Sequence, residues 1–301
     1  MTLLASLQFV ADPRMDRCKK YPLDFILLIV FTGTISGNSS WYELYDYAVD
    51  NQDDLKELYE KLTGRLCDFG IPSHDTLNRI FAVLNNNALA KSHSLFLKEY
   101  TSLTGKEHLY LDGKTMRGVK KLDFDANSHC VSAYSPMTYA VRAQVCTSQK
   151  TNEISALKEL LTHLDLENSV VTINAIGTQT ELVEQISEKN GDYVLNVKQN
   201  QAHTKEEIES LFCPHFAQHI QSQESIECEH GRIEKRYLES IIHPLELEAN
   251  PTLSKWRNLR SVHRMTRTST NKKTNKTTKE VAYYVSSLEN NKEVFTLIRE
   301  H

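Results

Sequence analysis

The sequence lacks several features that would place it in a specialised class of protein. Its six cysteines lie far apart and form no C-x-x-C pair, which argues against a zinc site and against a secreted disulfide scaffold. We therefore expect reduced, mostly buried thiols. The N-terminus has no basic segment followed by an apolar core and a small-residue cleavage site, so we expect no signal peptide.

A long hydrophobic run is also absent. The strongest apolar stretch, Leu23 to Ile35, contains Asp24 and is shorter than the roughly 20 residues that a membrane-spanning helix needs. It predicts a buried helix. We expect no membrane association and a cytoplasmic location.

The chain has no overall excess of positive charge. Its net charge is −4 at pH 7, so an argument for nucleic-acid binding must rest on local patches. The hydrophobic content of 40% and the charged content of 25% are typical of a soluble globular protein. With 301 residues, the chain is long enough for two domains.

The hydrophobic periodicity changes near residue 105. Before it, apolar side chains recur at three- and four-residue steps, as in Trp41, Leu44 and Ala48. This spacing predicts helices over 1–100. Ser73 or Asp75 is expected to cap the last of these helices. After it, short β-branched strands form a meander and then alternate with helices, which predicts an α/β fold with a mixed sheet. Residues 203–288 are predicted to form a β-rich insertion in this α/β fold.

Two of the predicted strands run into polar residues. LYLDG places Asp112 at the end of one strand, and VVTINA places Asn174 at the end of another. Strand ends that lie side by side can bring such residues into one site, and paired carboxylates there hold the metal ions that cleave phosphodiesters. This is the layout of a ribonuclease-H-like nuclease core, although Asp112 could instead cap the turn before Gly113.

Ordered motifs along the chain resemble those of one family, and together they cover nearly its whole length. They are ADPRMDRCKKYPL (11–23), SGNSSWYEL (36–44), GIPSHDTLNRIF (70–81), LDGKTMRG (111–118), TNEISAL (151–157), INAIGTQTE (173–181), GDYVLNVKQNQ (191–201), HGRIEKR (230–236) and YYVSSL (283–288). The sequence resembles the H-repeat-associated, Rhs-linked insertion-sequence transposases, a DDE family. The resemblance implies a helical associated domain over 1–100 and a ribonuclease-H-like core over 105–301.

The resemblance implies three catalytic carboxylates, of which this sequence matches one. Asp112 would be a ligand of Mg²⁺ or Mn²⁺, and the family's second Asp falls on Asn174. The third is a Glu in a segment that would begin where this sequence stops, so we expect a C-terminally truncated copy without the final catalytic helix. Glu181 is a candidate substitute acid, although a solvated helix-terminal residue is the plainer interpretation.

Basic residues provide the argument for DNA as a partner. Nine Lys or Arg residues and no Asp or Glu lie between Lys255 and Lys279, a pattern that can neutralise phosphates or form a solvated basic hairpin. Other candidates cluster at predicted strand ends. The predicted DNA-binding residues are Lys114, Arg117, Lys198, Asn200, Gln201, Arg232, Lys255, Arg257, Arg260, Arg264 and Arg267.

These observations predict an insertion-sequence DDE transposase-like protein that binds DNA at element ends and has lost catalytic activity. The competing hypothesis is a non-catalytic DNA-binding protein, or an inhibitor that forms mixed oligomers with an intact transposase. A homo-oligomer is also compatible with the sequence. A decayed gene product without a present role is the third alternative.

Overall fold

The structure is a computed structural model. It describes residues 10–85, 88–89, 92, 106–115, 129–147, 153–174, 177–213, 219–229, 231–243 and 250–300. The chain divides into two compact units, Met1–Ser102 and Leu103–His301.

Helices form the described part of the first unit. They are α1 (Leu23–Ile35), α2 (Trp41–Asp50), α3 (Gln52–Thr63) and α4 (His74–Val83). Ser40 and Glu43 form a capping box at the start of α2, and the Ser73 side chain accepts a hydrogen bond from the Thr76 N–H at the start of α4. These caps satisfy backbone donors that a helix start leaves unpaired. The prediction that Ser73 caps its helix is confirmed.

The apolar run predicted to be a buried helix is α1. Phe25, Ile26 and Ile29 are fully buried, and they pack into a core shared with the other three helices. Across the described ranges, no helix is long and apolar enough to cross a bilayer.

A nine-stranded mixed sheet forms the centre of the second unit. Its strands are β1 (Glu107–Thr115), β2 (His129–Ser135), β3 (Ala140–Thr147), β4 (Ser169–Ile173), β5 (Asp192–Val197), β6 (Ile220–Glu229), β7 (Arg232–Ile242), β8 (Ser261–Asn271) and β9 (Thr277–Ser286). Their order in the sheet is β3-β2-β1-β4-β5-β9-β8-β7-β6. The β1–β4 and β4–β5 pairs are parallel, whereas the other pairs are antiparallel. The predicted α/β fold with a mixed sheet is confirmed.

Helices cover both faces of this sheet. They are α5 (Glu153–His163), α6 (Thr180–Glu188), α7 (Ala202–Leu211) and α8 (Asn291–Glu300). Consecutive strand residues point to opposite faces, and Val171 packs with α5 and α6, while Val170 packs with α8. Asp112 follows Leu111, which lies in the α5–α6 core, so its side chain points to the α8 face.

The four strands β6 to β9 extend the sheet beyond β5. Strand β9 pairs directly with β5, and β8 and β9 form a hairpin whose turn spans residues 272–276. Residues 272–280 are exposed. The C-terminal half of the basic run between Lys255 and Lys279 thus forms a hairpin, whose exposed turn carries Lys272, Lys273 and Lys276.

The prediction of reduced, mostly buried cysteines is wrong. Cys130 and Cys146 form a disulfide, because they lie directly opposite each other in the antiparallel β2–β3 register. Cys213 and Cys228 are exposed free thiols. A sequence separation of 16 residues gives no indication of a pairing that depends on strand register.

Candidate functional site

Asp112 and Asn174 are neighbours toward the carboxyl ends of the adjacent central strands β1 and β4. Leu111 pairs with Ile173 in the parallel register of β1 and β4, so the next residue of each chain segment lies at the same level. Adjacent strands are about 4.8 Å apart. The structure thus brings the two predicted residues together, and the Asp112 side chain is 49% exposed there. The prediction that Asp112 ends its strand is wrong, because β1 continues to Thr115 through its pairing with β2; Asn174 does follow the end of β4.

The Asn174 amide is held on both sides by neighbouring groups. Its Oδ1 accepts a hydrogen bond from the Gly177 N–H at 3.3 Å. Its Nδ2 donates to Glu153 Oε1 at 3.5 Å. The carbonyl oxygen, the only atom of this side chain that could ligate a hard cation, already accepts the hydrogen bond from Gly177.

Glu153, the residue that contacts Asn174, was not identified as a site residue from the sequence. It is the first residue of α5, is 4% exposed, and places Oε2 3.4 Å from Nε2 of the buried His129. Buried charges require partners. A glutamate beginning an amphipathic helix is ordinarily solvated, so the sequence offered only the TNEISAL motif as a signal.

Gly113 leaves the space that Glu153 and His129 occupy. A Cβ on Gly113 would lie 2.7 Å from Glu153 Oε1 and 2.9 Å from His129 Nε2. Real Cβ atoms essentially never approach this closely. The glycine after Asp112 therefore allows the buried pair to pack directly under β1.

The donor set at this edge does not fit a pair of divalent metal ions. Mg²⁺ prefers several hard, charged oxygen ligands, but Asp112 has a neutral amide beside it, and Asp112 Oδ2 lies 4.0 Å from Lys114 Nζ. Within the described residues, no group of three or more His, Cys, Asp or Glu side chains could hold a metal ion. Glu181 is exposed in the first turn of α6.

The predicted DNA-binding residues after β5 have different environments. Lys198 is exposed and lines a cavity of about 140 Å³ together with Asn174. Asn200 is also exposed. Gln201 donates hydrogen bonds to the Thr178 carbonyl at 3.2 Å and to Gln179 Oε1 at 3.1 Å. Its amide therefore links the segment after β5 to the residues that precede α6. Arg117 lies outside the described residues.

Four arginines of the basic run are neutralised by glutamates. Arg264 makes two hydrogen bonds of 2.7 Å to Glu239, which raises the pKa of its guanidinium. The other pairs are Arg267–Glu234, Arg260–Glu289, and Arg257 with Glu184 and Glu188. These glutamates lie outside the basic run in the sequence and reach it through the fold.

The remaining positive charge of this region is concentrated at two places. Arg232 begins β7 and is exposed, and its backbone pairs with Asn271 near the β8–β9 turn. Lys255 is exposed elsewhere. Four exposed lysines surround the turn and form no salt bridge with any residue in the described ranges; they are Lys272, Lys273, Lys276 and Lys279.

Comparison with known proteins supports one family assignment. The family model for the transposase DDE domain matches residues 103–287, and a domain described as DDE_Tnp_1-associated matches residues 4–97. The first match alone covers more than half of the chain.

Three relatives from Escherichia coli are similar over most of the chain. "Putative protein YbfL" of strain K12 is 30% identical over 99% of this chain and 79% of its own length. "Putative transposase YncI" of O157:H7 is 32% identical over 78% of this chain and 60% of its own length. "H repeat-associated putative transposase YhhI" of strain K12 is 31% identical over 70% of this chain and 54% of its own length. The match thus spans little more than half of YncI and YhhI.

The two family models and the similarity over 99% of this chain agree with the adjacent positions of Asp112 and Asn174 in the α/β sheet. The chain belongs to the H-repeat-associated DDE transposase family.

Proposed function

We propose that this protein binds the ends of an insertion-sequence element as a transposase-like protein whose own catalytic site is defective. One observation carries the proposal. Asn174 occupies the position beside Asp112, and its neutral amide is hydrogen-bonded to Gly177 and Glu153. The site therefore lies at the position that the family resemblance implies, but it lacks the negative charge of the second catalytic Asp.

The topology supports a ribonuclease-H-like core preceded by an all-helical domain. Strands β3, β2 and β1 form an antiparallel meander, and β4 and β5 continue in parallel beside β1. Asp112 lies on the first strand of this arrangement and Asn174 follows the fourth. The described part of residues 10–85 is built from helices.

The loss of a ligand charge accounts for the proposed defect. Metal-assisted phosphodiester cleavage requires carboxylates that hold Mg²⁺ or Mn²⁺ and stabilise the developing charge. Asn is nearly isosteric with Asp but neutral, and the fold accommodates it through two hydrogen bonds. A transition-state loss of about 4 kcal/mol would correspond to roughly a 10³-fold lower rate.

The lysine-rich β8–β9 turn lies beyond the carboxyl ends of the parallel strands, the end of the sheet toward which Asp112 and Asn174 lie. Val197, at the carboxyl end of β5, pairs with Tyr283 of β9. Thr277 lies six positions earlier in β9, so the strand continues about 20 Å beyond β5. The four lysines around the turn could therefore contact phosphates of a duplex whose end lies at the candidate site.

End-specific binding tests this proposal. Fluorescence anisotropy would compare a duplex carrying the terminal repeats of the element that encodes this chain with a scrambled duplex of equal length. We expect tighter binding to the element end, and weaker binding to both duplexes as salt increases. Equal affinity for the two sequences would contradict the proposal, because phosphate contacts alone carry no sequence information.

A further inference from the structure

A cationic cavity adjoins the candidate site on the α8 face of the sheet. Its smaller part, about 140 Å³, reaches Asn174 and Thr172. Its larger part, about 330 Å³, reaches Arg236 and Arg267. The two parts adjoin, since Asn196, Lys198, Tyr284 and Ile298 line both of them.

Four cations and one carboxylate line the larger part of the cavity. They are Lys198, Arg236, Arg267, Arg299 and Glu280.

Two glutamates hold the three arginines in place. Glu234 binds both Arg267, at 2.6 Å, and Arg236, at 2.5 Å. Glu227 binds Arg236 at 2.7 Å and Arg299 at 3.2 Å. A guanidinium has five N–H donors, so Arg299 and Arg267 keep donors that these pairs do not use. We call these three arginines the arginine wall; the two glutamates offset part of their positive charge and leave the remaining N–H donors.

The cavity lining also offers a hydrogen-bond acceptor and an aromatic ring. Asn196 Oδ1 is buried and has no hydrogen-bond partner in the described part of the chain, while the same side chain hydrogen-bonds to the Tyr284 hydroxyl. Burial raises the pKa of Tyr284 to about 12, so the ring is neutral. Because buried acceptors are normally satisfied, this oxygen calls for a donor supplied by a ligand.

We infer that the cavity binds a single nucleotide. Its phosphate would lie against Lys198 and the arginine wall, and its base would place an N–H group at Asn196 Oδ1 beside Tyr284. A nucleotide combines the required anion, planar ring and hydrogen-bond donor. The bound nucleotide could be the end of a DNA strand or a free nucleotide. The inference rests on the proposed function, because it identifies the part of the DNA that reaches this site.

Calorimetric titration of the full chain tests the assignment with defined probes. The probes are deoxyadenosine 5′-monophosphate, the deoxydinucleotide pdApdA, deoxyribose 5-phosphate and inorganic phosphate. We expect Lys198→Ala and Arg299→Ala each to weaken monophosphate binding about tenfold, the loss of one charge-assisted hydrogen bond. Lys292→Ala, which removes an exposed lysine of the same helix α8 away from the cavity, should leave the affinity unchanged.

A second variant separates recognition of the base from recognition of the phosphate. Asn196→Leu should equalise the affinities for the nucleotide and for deoxyribose 5-phosphate, because it removes the acceptor for the base. Circular dichroism melting identifies any variant that fails to fold. Tighter binding of pdApdA than of the mononucleotide supports the site and identifies a DNA strand as the source of its ligand, whereas the reverse order supports the site and identifies a free nucleotide.

Two results would overturn the inference. One is equal binding of inorganic phosphate and the nucleotide by the unmodified chain, and the other is no binding of either nucleotide probe. End-specific duplex binding measured on the same preparation keeps the two proposals separate. If end preference persists while nucleotide binding is absent, only this inference fails; nucleotide binding without end preference contradicts only the proposed function.

Discussion

Asn174 donates a hydrogen bond from its side-chain amide to the buried carboxylate of Glu153, across 3.5 Å. The position where the family resemblance implies a second catalytic Asp is therefore occupied by a donor that a buried Glu accepts. An Asp at this position would place a second negative charge next to Glu153 and would remove the donor.

We expect Asn174→Asp to destabilise the protein at pH 7. The substitution replaces a hydrogen bond with a contact between two carboxylates, and Glu153 is 4% exposed. Leaving a buried acceptor unpaired and adding like charge costs about 1–3 kcal/mol. Urea denaturation of the two proteins measures the difference in the free energy of unfolding.

The double variant Asn174→Asp, Glu153→Gln is the matched control. A Gln at position 153 can donate to the new carboxylate, so it should recover part of the lost free energy. If both single and double variants were as stable as the unmodified chain, the coupling between these two residues would be refuted.

The absence of a side chain at Gly113 should be necessary for stability, because Glu153 and His129 occupy the space that a Cβ would need. Gly113→Ala would bring a Cβ within 3 Å of Glu153 and His129, and overpacking of this kind costs about 1–3 kcal/mol. Gly70→Ala is the control, since a Cβ there meets nothing within 4 Å. Thermal melting should show a lower Tm for Gly113→Ala alone, and equal losses in both variants would argue against a close-packed pair.

The sequence predicted those features that depend on local pattern. The apolar run Leu23–Ile35 became α1, because a continuous apolar segment of that length is buried as a helix. The polar residues Asp112 and Asn174 became neighbours because β1 and β4 are adjacent parallel strands whose register places them at the same level. Both predictions needed only periodicity and strand order.

Features that depend on register and on tertiary contacts were not predictable. Glu153 reaches Asn174 from the start of a helix 21 residues earlier, and an isolated Glu at a helix start carries no sign of burial. The Cys130–Cys146 disulfide follows from strand register. The basic run is partly neutral because Arg264 and its neighbours pair with glutamates on other elements.

The lysines of the β8–β9 turn should set the salt dependence of DNA binding. We expect the triple substitution of Lys272, Lys273 and Lys276 by Ala to reduce the slope of log K against log salt by about 2.7, since each lost phosphate contact contributes about 0.9. Affinity for specific and scrambled duplexes should fall together. Anisotropy at several salt concentrations provides the slope.

The control for the lysine variant is Lys292→Ala, an exposed lysine on α8. It should leave the slope unchanged. A triple variant with an unaltered slope would show that the turn does not contact phosphates.

His263 should make the protein less stable in acid. Burial lowers the pKa of this histidine from 6.5 to about 3. The Ser261 hydroxyl donates to the Leu288 carbonyl and lies 2.8 Å from His263 Nε2, so Nε2 carries the proton and Nδ1 accepts from Ser240 at 2.7 Å. The neutral ring is thereby fixed between β7 and β8.

The pH window follows from the lowered pKa. Below pH 6.5 the unfolded chain binds a proton at this histidine while the folded chain does not, until the pH approaches about 3. Its contribution to the free energy of unfolding is therefore complete above pH 6.5 and declines by about 1.4 kcal/mol per pH unit below it. Urea denaturation at several pH values should show a steeper acid loss for the unmodified chain than for His263→Gln; parallel curves would contradict this account.

The central claim is that this family member binds element ends without cutting them. The direct measurement is nicking of a duplex carrying the element's terminal repeats, with Mg²⁺ or Mn²⁺, by the unmodified chain and by Asp112→Ala. We expect both proteins to leave the duplex intact under conditions in which the unmodified chain binds it. Metal-dependent nicking by the unmodified chain that Asp112→Ala abolishes would contradict the claim.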